Sequence, residues 1–259
     1  MDIISASSND NTIAWYENNG AANPTWSAVD IATDAIGATS VYAADMDGDG
    51  DMDIISASET DDAISWYENN GNGTSWSARD IVSDADAGTS ADGATSVYAA
   101  DLDGDGDMDI VSASSNDNTI AWYENDGAGD PTWSASNIAT SAFTARSVFA
   151  ADLDSDGHMD IVSASETDNT IAWYENYGLS DPTWTASNIA TNALGATSIY
   201  AADMDADGDM DMISSSFTDN TIAWYEMDGS PSRSYSISGT DADDFSISSG
   251  VLTFSSSPN

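Results

Sequence analysis

The stretch Asp45–Asp53 reads DMDGDGDMD. The chain writes it three more times with small changes: DLDGDGDMD at Asp101–Asp109, DLDSDGHMD at Asp152–Asp160 and DMDADGDMD at Asp203–Asp211. The shared pattern is D-x-D-x-D-G-x-x-D. Carboxylates fall at positions 1, 3, 5 and 9, with glycine at position 6 for a sharp turn. A hard cation of calcium size takes about six to eight oxygens at flexible distances, and closely spaced carboxylates on a tight loop supply them. The pattern therefore points to about four bound calcium ions.

Working outward, the loops begin 56, 51 and 51 residues apart. A second motif keeps the same period: TIAWYEN at Thr12, AISWYEN at Ala63, TIAWYEN at Thr119 and Thr170, and TIAWYEM at Thr221. Self-similarity at a period near 50 marks a propeller or a solenoid. Between loops, Thr39–Ala44, Asp53–Ser58, Ala63–Glu68 and Trp76–Val82 are short runs rich in strand formers, separated by polar turns. No segment shows a 3.6-residue apolar period, so helices are not expected.

The strands do not alternate cleanly. Ile54 and Ile55 are adjacent, as are Trp66 and Tyr67. Neighbouring strand residues point to opposite faces, so both faces of each sheet must be covered. That predicts an all-β fold of four-stranded blades packed face to face, a β-propeller of about five blades. The first blade lacks its first strand, three are complete, and the fourth strand of the last is unclear. Trp15, Trp66, Trp122, Trp173 and Trp224 are expected at equivalent, largely buried positions between blades. Met1-Asp2-Ile3-Ile4 aligns with Met52-Asp53-Ile54-Ile55, so the chain reads as starting inside a repeat, as a piece of a longer polypeptide.

The charge is extreme. Forty-six acidic residues face three arginines and no lysine, for a net charge of −43. Nucleic acid and anionic membrane are poor partners for such a surface, because binding phosphate requires Lys and Arg. An acidic, solvated surface suits salty water, where repulsion is screened beyond about 8 Å. No apolar run is long enough for a membrane-crossing helix. Without cysteine, disulfide and thiol chemistry are excluded. The catalytic inventory is thin. His158, the one histidine, lies inside an acidic loop, and most close carboxylate pairs belong to the loops, so no enzymatic activity is expected.

Loop, flanking strands, spacing and copy number together resemble the FG-GAP (also called VCBS) repeat, the calcium-loop repeat of integrin-type β-propellers. The resemblance covers about residues 1–230. It implies side-chain ligands Asp45, Asp47, Asp49 and Asp53 in the first loop and Asp101, Asp103, Asp105 and Asp109 in the second. In the third they are Asp152, Asp154, Asp156 and Asp160, and in the fourth Asp203, Asp205, Asp207 and Asp211. Position 7 (Asp51, Asp107, His158 and Asp209) would give a backbone carbonyl. An EF-hand would need an oxygen ligand at position 12 and flanking helices. Here position 12 is Ser56, Ser112, Ser163 or Ser214, and the flanks read as strands.

Residues 231–259 either resemble the opening of a cadherin-like domain or complete the last blade. The resemblance implies a recognition or adhesion module of a secreted, multidomain bacterial surface protein, extracellular and monomeric within a larger chain. Its ligand would be a protein or a glycan. The alternative is a carbohydrate-binding propeller, accessory to a polysaccharide-active enzyme, with Trp26, Trp133 and Trp184 near loops as its candidates. Two further places attract attention. One is the set of acidic turns on the face opposite the calcium loops. The other is the long connection between Ser83 and Thr95, which exceeds its counterparts by six residues.

Overall fold

The computed structural model describes residues 1–71, 73–83, 91–178, 181–227, 245–248 and 251–254. Among these there is no helix; the fold is all-β, built from repeated antiparallel sheets. Sheet 1 has three strands, β1 (Ile3–Ser7), β2 (Thr12–Asn18) and β3 (Trp26–Ala32). Sheet 2 has four, β4 (Ala38–Ala44), β5 (Asp53–Ser58), β6 (Ala63–Asn69) and β7 (Trp76–Val82). Sheet 3 repeats this with β8 (Ala94–Ala100), β9 (Asp109–Ser114), β10 (Thr119–Asn125) and β11 (Trp133–Ala139). Sheet 4 comprises β12 (Ala145–Ala151), β13 (Asp160–Ser165), β14 (Thr170–Asn176) and β15 (Trp184–Ala190). Sheet 5 comprises β16 (Ala196–Ala202), β17 (Asp211–Ser216) and β18 (Thr221–Tyr225). A hairpin of β19 (Phe245–Ser248) and β20 (Val251–Phe254) follows.

Every sheet is an up-and-down meander in sequence order. The five sheets follow the five repeats of the sequence: the first lacks a first strand, three have all four, and the last shows three among the described residues. Among the described residues no sheet closes on itself. The chain divides into two compact units. One holds Met1–Asp101 and Gly106–Ser141, the other Leu102–Asp105 and Ala142–Asn259.

In the first unit the adjacent apolar pairs do what the pleat requires. Ile55 and Trp66 pack in a cluster with Met46, Val97, Ile110 and Tyr123, joining sheets 2 and 3. Their neighbours Ile54 and Tyr67 pack instead with Ile13, Ala35 and Ala38, joining sheets 1 and 2. Both faces of sheet 2 are therefore covered. In the second unit Leu153, Val162, Ile171 and Trp173 of sheet 4 meet Ile199, Met212 and Tyr225 of sheet 5. Trp66, Trp122 and Trp173 are buried as expected, at 1%, 3% and 7% exposure. Trp15 and Trp224 are only half-buried, because sheets 1 and 5 are each covered on one face less fully.

The turns between the two central strands carry a left-handed residue in every sheet: Asn11, Asp62, Asn118, Asn169 and Asn220. Asn and Asp tolerate that conformation best among residues with a Cβ. Three of these side chains also anchor the connection to the next sheet, by accepting from Gly37 N, Gly93 N and Gly195 N. These turn residues thus have a structural task. The long connection between Ser83 and Thr95 lies largely outside the described residues, as does the segment from 228 to 244.

Candidate metal centres

Each acidic loop joins the first and second strands of its sheet and is wound by its own carboxylates. Position 1 accepts a hydrogen bond from the position 6 glycine in all four: Gly50 N to Asp45 Oδ2 (3.0 Å), Gly106 N to Asp101 (3.1 Å), Gly157 N to Asp152 (3.0 Å) and Gly208 N to Asp203 (3.2 Å). Position 3 accepts from position 5, as in Asp49 N to Asp47 Oδ1 (3.2 Å), and position 5 accepts from position 7 in Asp51 N to Asp49 Oδ1 (2.8 Å). These turns aim the carboxylates inward.

The inward aim gives four clusters in which one oxygen from each residue lies within 4.8 Å of the others. They are Asp45, Asp47 and Asp53; Asp101, Asp103 and Asp105; Asp152, Asp154 and Asp156; and Asp203, Asp205 and Asp207. Each triad is suited to hold a metal ion. Positions 1 and 3 enter every cluster and position 5 enters three. Position 9 enters the first alone. Position 7 enters none as a side chain. The Asp107 side chain lies over Gly127 and the His158 ring over Gly178, where a Cβ would overlap them. Position 7 thus packs on the turn after the third strand, a contact that the spacing in the sequence does not reveal.

The electrostatics of the clusters favour a cation. Asp45 Oδ1 is buried with no hydrogen-bond partner. A lone carboxylate oxygen out of water costs free energy unless a donor or an ion meets it. Burial, with the like charges of Asp49 and Asp45, pushes the Asp47 carboxyl above its ordinary value; burial and Asp156 do the same to Asp154. A bound cation would relieve this strain.

Position 9 has a second task that the motif alone does not show. Asp53 Oδ1 accepts from Asn69 N (2.8 Å) and Oδ2 from Met46 N (3.1 Å), tying the loop to the end of β6. Asp160 repeats this with Asn176 N and Leu153 N, and Asp211 with Met227 N and Met204 N. Asp109 accepts from Asn125 N. All four are buried, at 1% exposure or less. Burial pushes Asp53 up to about 6 and Asp160 up to about 7, against the pull of those backbone donors. Each oxygen has two lone pairs, so a backbone bond leaves room for an ion on the same carboxylate. Position 12 is likewise structural: Ser56 and Ser112 are buried and donate to Tyr67 and Tyr123 hydroxyls at 3.4 Å.

Position 4 is left-handed in every loop. Gly48 and Gly104 adopt this freely, whereas Ser155 (φ 61°) and Ala206 (φ 65°) must bear a Cβ there. The sequence pattern treats this position as variable; the backbone does not.

A solved structure of a candidate 6-phosphogluconolactonase from Bacteroides uniformis aligns over 98% of this chain with a TM-score of 0.59 and 11% identity, a likeness of fold alone. The V. cholerae biofilm matrix protein Bap1 aligns over 89% with a TM-score of 0.47 and 21% identity. The chain spans 66% of the first structure's length and 38% of the second's, less than two thirds of either. No curated protein sequence matches. The family model for FG-GAP-like repeats matches four times in succession, over residues 1–56, 45–112, 101–163 and 152–214. Each match contains at least one acidic loop, and together they run from sheet 1 into sheet 5: the chain belongs to the FG-GAP-like repeat family.

Proposed function

We propose that the chain is a calcium-stabilised β-propeller module for recognition or adhesion, carried by a secreted, multidomain surface protein. The observation that carries this is the fourfold recurrence of converging carboxylates on one kind of hairpin, with like charges at close range. In the proposed centres positions 1, 3, 5 and 9 supply side-chain oxygens and position 7 a backbone carbonyl. Calcium suits this better than magnesium, which keeps a tight octahedral shell and much of its water. The metal would supply charge neutralisation and loop rigidity. The protein's part is to fold the loop, bury position 9 and lock it to the next strand pair.

Support for a propeller is the repeated meander with both faces apolar in sheet 2, together with the repeat family. Residues 1–230 would form it, in about five blades. The tail 231–259 would be a cadherin-like fragment or the strand that finishes the last blade; the backbone of β20 does run near β18. No helix among the described residues is long and apolar enough to cross a membrane. An extracellular site rests on the repeat family and on millimolar calcium being available there.

Titration calorimetry with calcium on the chelated protein should give a stoichiometry near four, and magnesium should compete poorly. A stoichiometry near one would remove calcium from the centre of this proposal. A carbohydrate-binding role has one observation in its favour, the exposure of Trp26 (42%). A glycan array in calcium decides between the two: selective binding supports the lectin, and silence leaves the protein-binding module.

A further inference from the structure

The tryptophan of the WYE motif carries a polar atom that packing between sheets does not use. The indole Nε1 atoms of Trp66, Trp122 and Trp224 are buried, and among the described residues no hydrogen-bond partner meets them. A buried N–H without an acceptor is costly and uncommon, and it calls for an explanation. A single such atom is within the ordinary run of a folded protein. The same atom in three repeats is a feature of the repeat.

Sheet register says what these donors face. Trp66 pairs with Ile55, Trp122 with Val111, Trp173 with Val162 and Trp224 with Ile213. In each case position 9 of the acidic loop lies two residues before that partner, as Asp53, Asp109, Asp160 and Asp211. Residues two apart on a strand share a face. Tryptophan and position 9 are therefore diagonal neighbours across the strand pair, about 7–8 Å apart, a gap that an aromatic side chain spans. The corresponding pair in sheet 1 is bonded: Trp15 Nε1 donates to Asp2 Oδ2 at 3.2 Å.

The carboxylates respond to the rings. Burial raises the carboxyls of Asp53, Asp160 and Asp211. The groups that draw them back toward the charged form are their backbone donors and the indoles of Trp66, Trp173 and Trp224. For Trp66 and Trp224 the donor thus acts on the carboxylate from just short of a formed bond.

Position 9 has the capacity to accept that bond. A carboxylate offers about four lone-pair sites. In Asp53, Asp160 and Asp211 two are taken by backbone N–H groups, one on each oxygen. The two that remain suffice for one indole and one cation. These carboxylates are 1% exposed or less, so bulk water does not fill the places.

We infer that Trp66, Trp122, Trp173 and Trp224 are positioning residues of the proposed calcium centres: the indole N–H of each holds the position 9 carboxylate from the strand side and leaves a lone pair facing the loop. The inference rests on the calcium reading above. Groups that hydrogen-bond a metal ligand from behind fix its orientation and keep it charged. Here that group is the ring that also packs between sheets, so one side chain ties the loop to the core.

The test is nuclear magnetic resonance of the indole Nε1–H groups in the whole 259-residue chain, first chelated and then titrated with calcium. The resonances of Trp66, Trp122, Trp173 and Trp224 should move downfield as the bond to a carboxylate closes, and should saturate with the calcium stoichiometry. The Trp76 resonance should not follow them, because its indole already donates to Gly73 O at 3.1 Å. A second measurement is calcium calorimetry on Trp66→benzothienylalanine, which keeps the shape of the ring and puts sulfur in place of the N–H. One site should weaken by about tenfold or more, the factor carried by a hydrogen bond to a charged group, and the other sites should stay as they were. Calcium binding with unmoved indole resonances overturns the inference and leaves the calcium reading intact. So does an unchanged affinity in the variant, or a loss spread equally over all sites, which is the mark of packing alone. A chain that binds no calcium overturns both.

Discussion

Ile3–Ser7 and Ile54–Ser58 have one sequence, IISAS, and pair with the next strand in one register, Ile3 to Tyr16 and Ile54 to Tyr67. Their surroundings differ. Ile3 is 50% exposed and Ile54 is 2% exposed; β5 is buried throughout, whereas no residue of β1 is. Local sequence decides that each is a strand and which residue faces which way. It does not decide how much free energy that strand contributes. β5 has an acidic loop before it, strands on both edges and sheets on both faces. Among the described residues β1 has one edge partner and one well-covered face.

Metal removal should test this contrast with the largest effect. A cation that binds only the folded loop adds about 2.7 kcal/mol at a hundredfold excess over its dissociation constant, so four loops give on the order of 10 kcal/mol. That is comparable with the whole stability of a domain. Chelation should therefore lower the melting temperature sharply. By hydrogen exchange, amides of β5 and β9 should lose protection toward the level of β1, whose own protection changes least. Unchanged exchange in β5 after chelation would break the link between loop and strand.

The tryptophan pair sharpens the same comparison. Trp66→Ala should cost about 3–5 kcal/mol, the range for a large buried aromatic. It also removes the ring under Arg79, whose guanidinium lies 5.1 Å from its centroid. Trp15→Ala should cost clearly less, because its ring is half-exposed. Urea denaturation of both variants decides it, and equal losses would show that sheet 1 is as tightly built as sheet 2.

The position 9 carboxylates allow a smaller and pH-dependent test. Asp53→Asn removes one acceptor from a buried group holding two backbone N–H donors, for a loss of about 1–3 kcal/mol. Asp2→Asn, on an exposed carboxylate, should cost less. The sign with pH follows from burial. Folded-state values of about 6 for Asp53 and about 7 for Asp160 lie above the ordinary 3.8, so the folded metal-free form holds protons that the unfolded form releases. That contribution is complete below the unfolded value and lost as pH rises through 6 to 7. Metal-free protein should melt higher at pH 5 than at pH 8. Calcium, which competes with the protons, should flatten or reverse the trend. A metal-free melt that rises with pH over this window would contradict the assignment.

The smallest effect concerns position 4. Ala206→Gly and Ser155→Gly should each stabilise by a few tenths to about 1 kcal/mol, since a Cβ in the left-handed region is costly while glycine's unfolded-state freedom offsets part of the gain. Gly104→Ala should destabilise by a similar amount. Thermal melts of the three variants at saturating calcium suffice to check the direction.

The strands, their number per repeat and the four acidic loops were legible in the chain alone, because these rest on local chemistry. Strand formers alternate with turn residues at a fixed period, and glycine at position 6 permits the sharp turn wherever it occurs. Adjacent apolar residues such as Ile54 and Ile55 announced two covered faces before any neighbour was known. Which carboxylates converge and which are committed elsewhere depends on the packed fold. Asp53 and Asp47 look alike in the motif, yet one is locked by Asn69 and Met46 while the other is held among like charges. The packing of Met46 and Leu153 into the clusters between sheets, that of His158 on Gly178, and the left-handed backbone of Ala206 were equally invisible, since they depend on residues distant in sequence or on a dihedral angle. Identical IISAS strands ended half-exposed and buried for the same reason: burial is a property of the neighbours that a segment meets, and the repeat supplies those neighbours unequally along the chain.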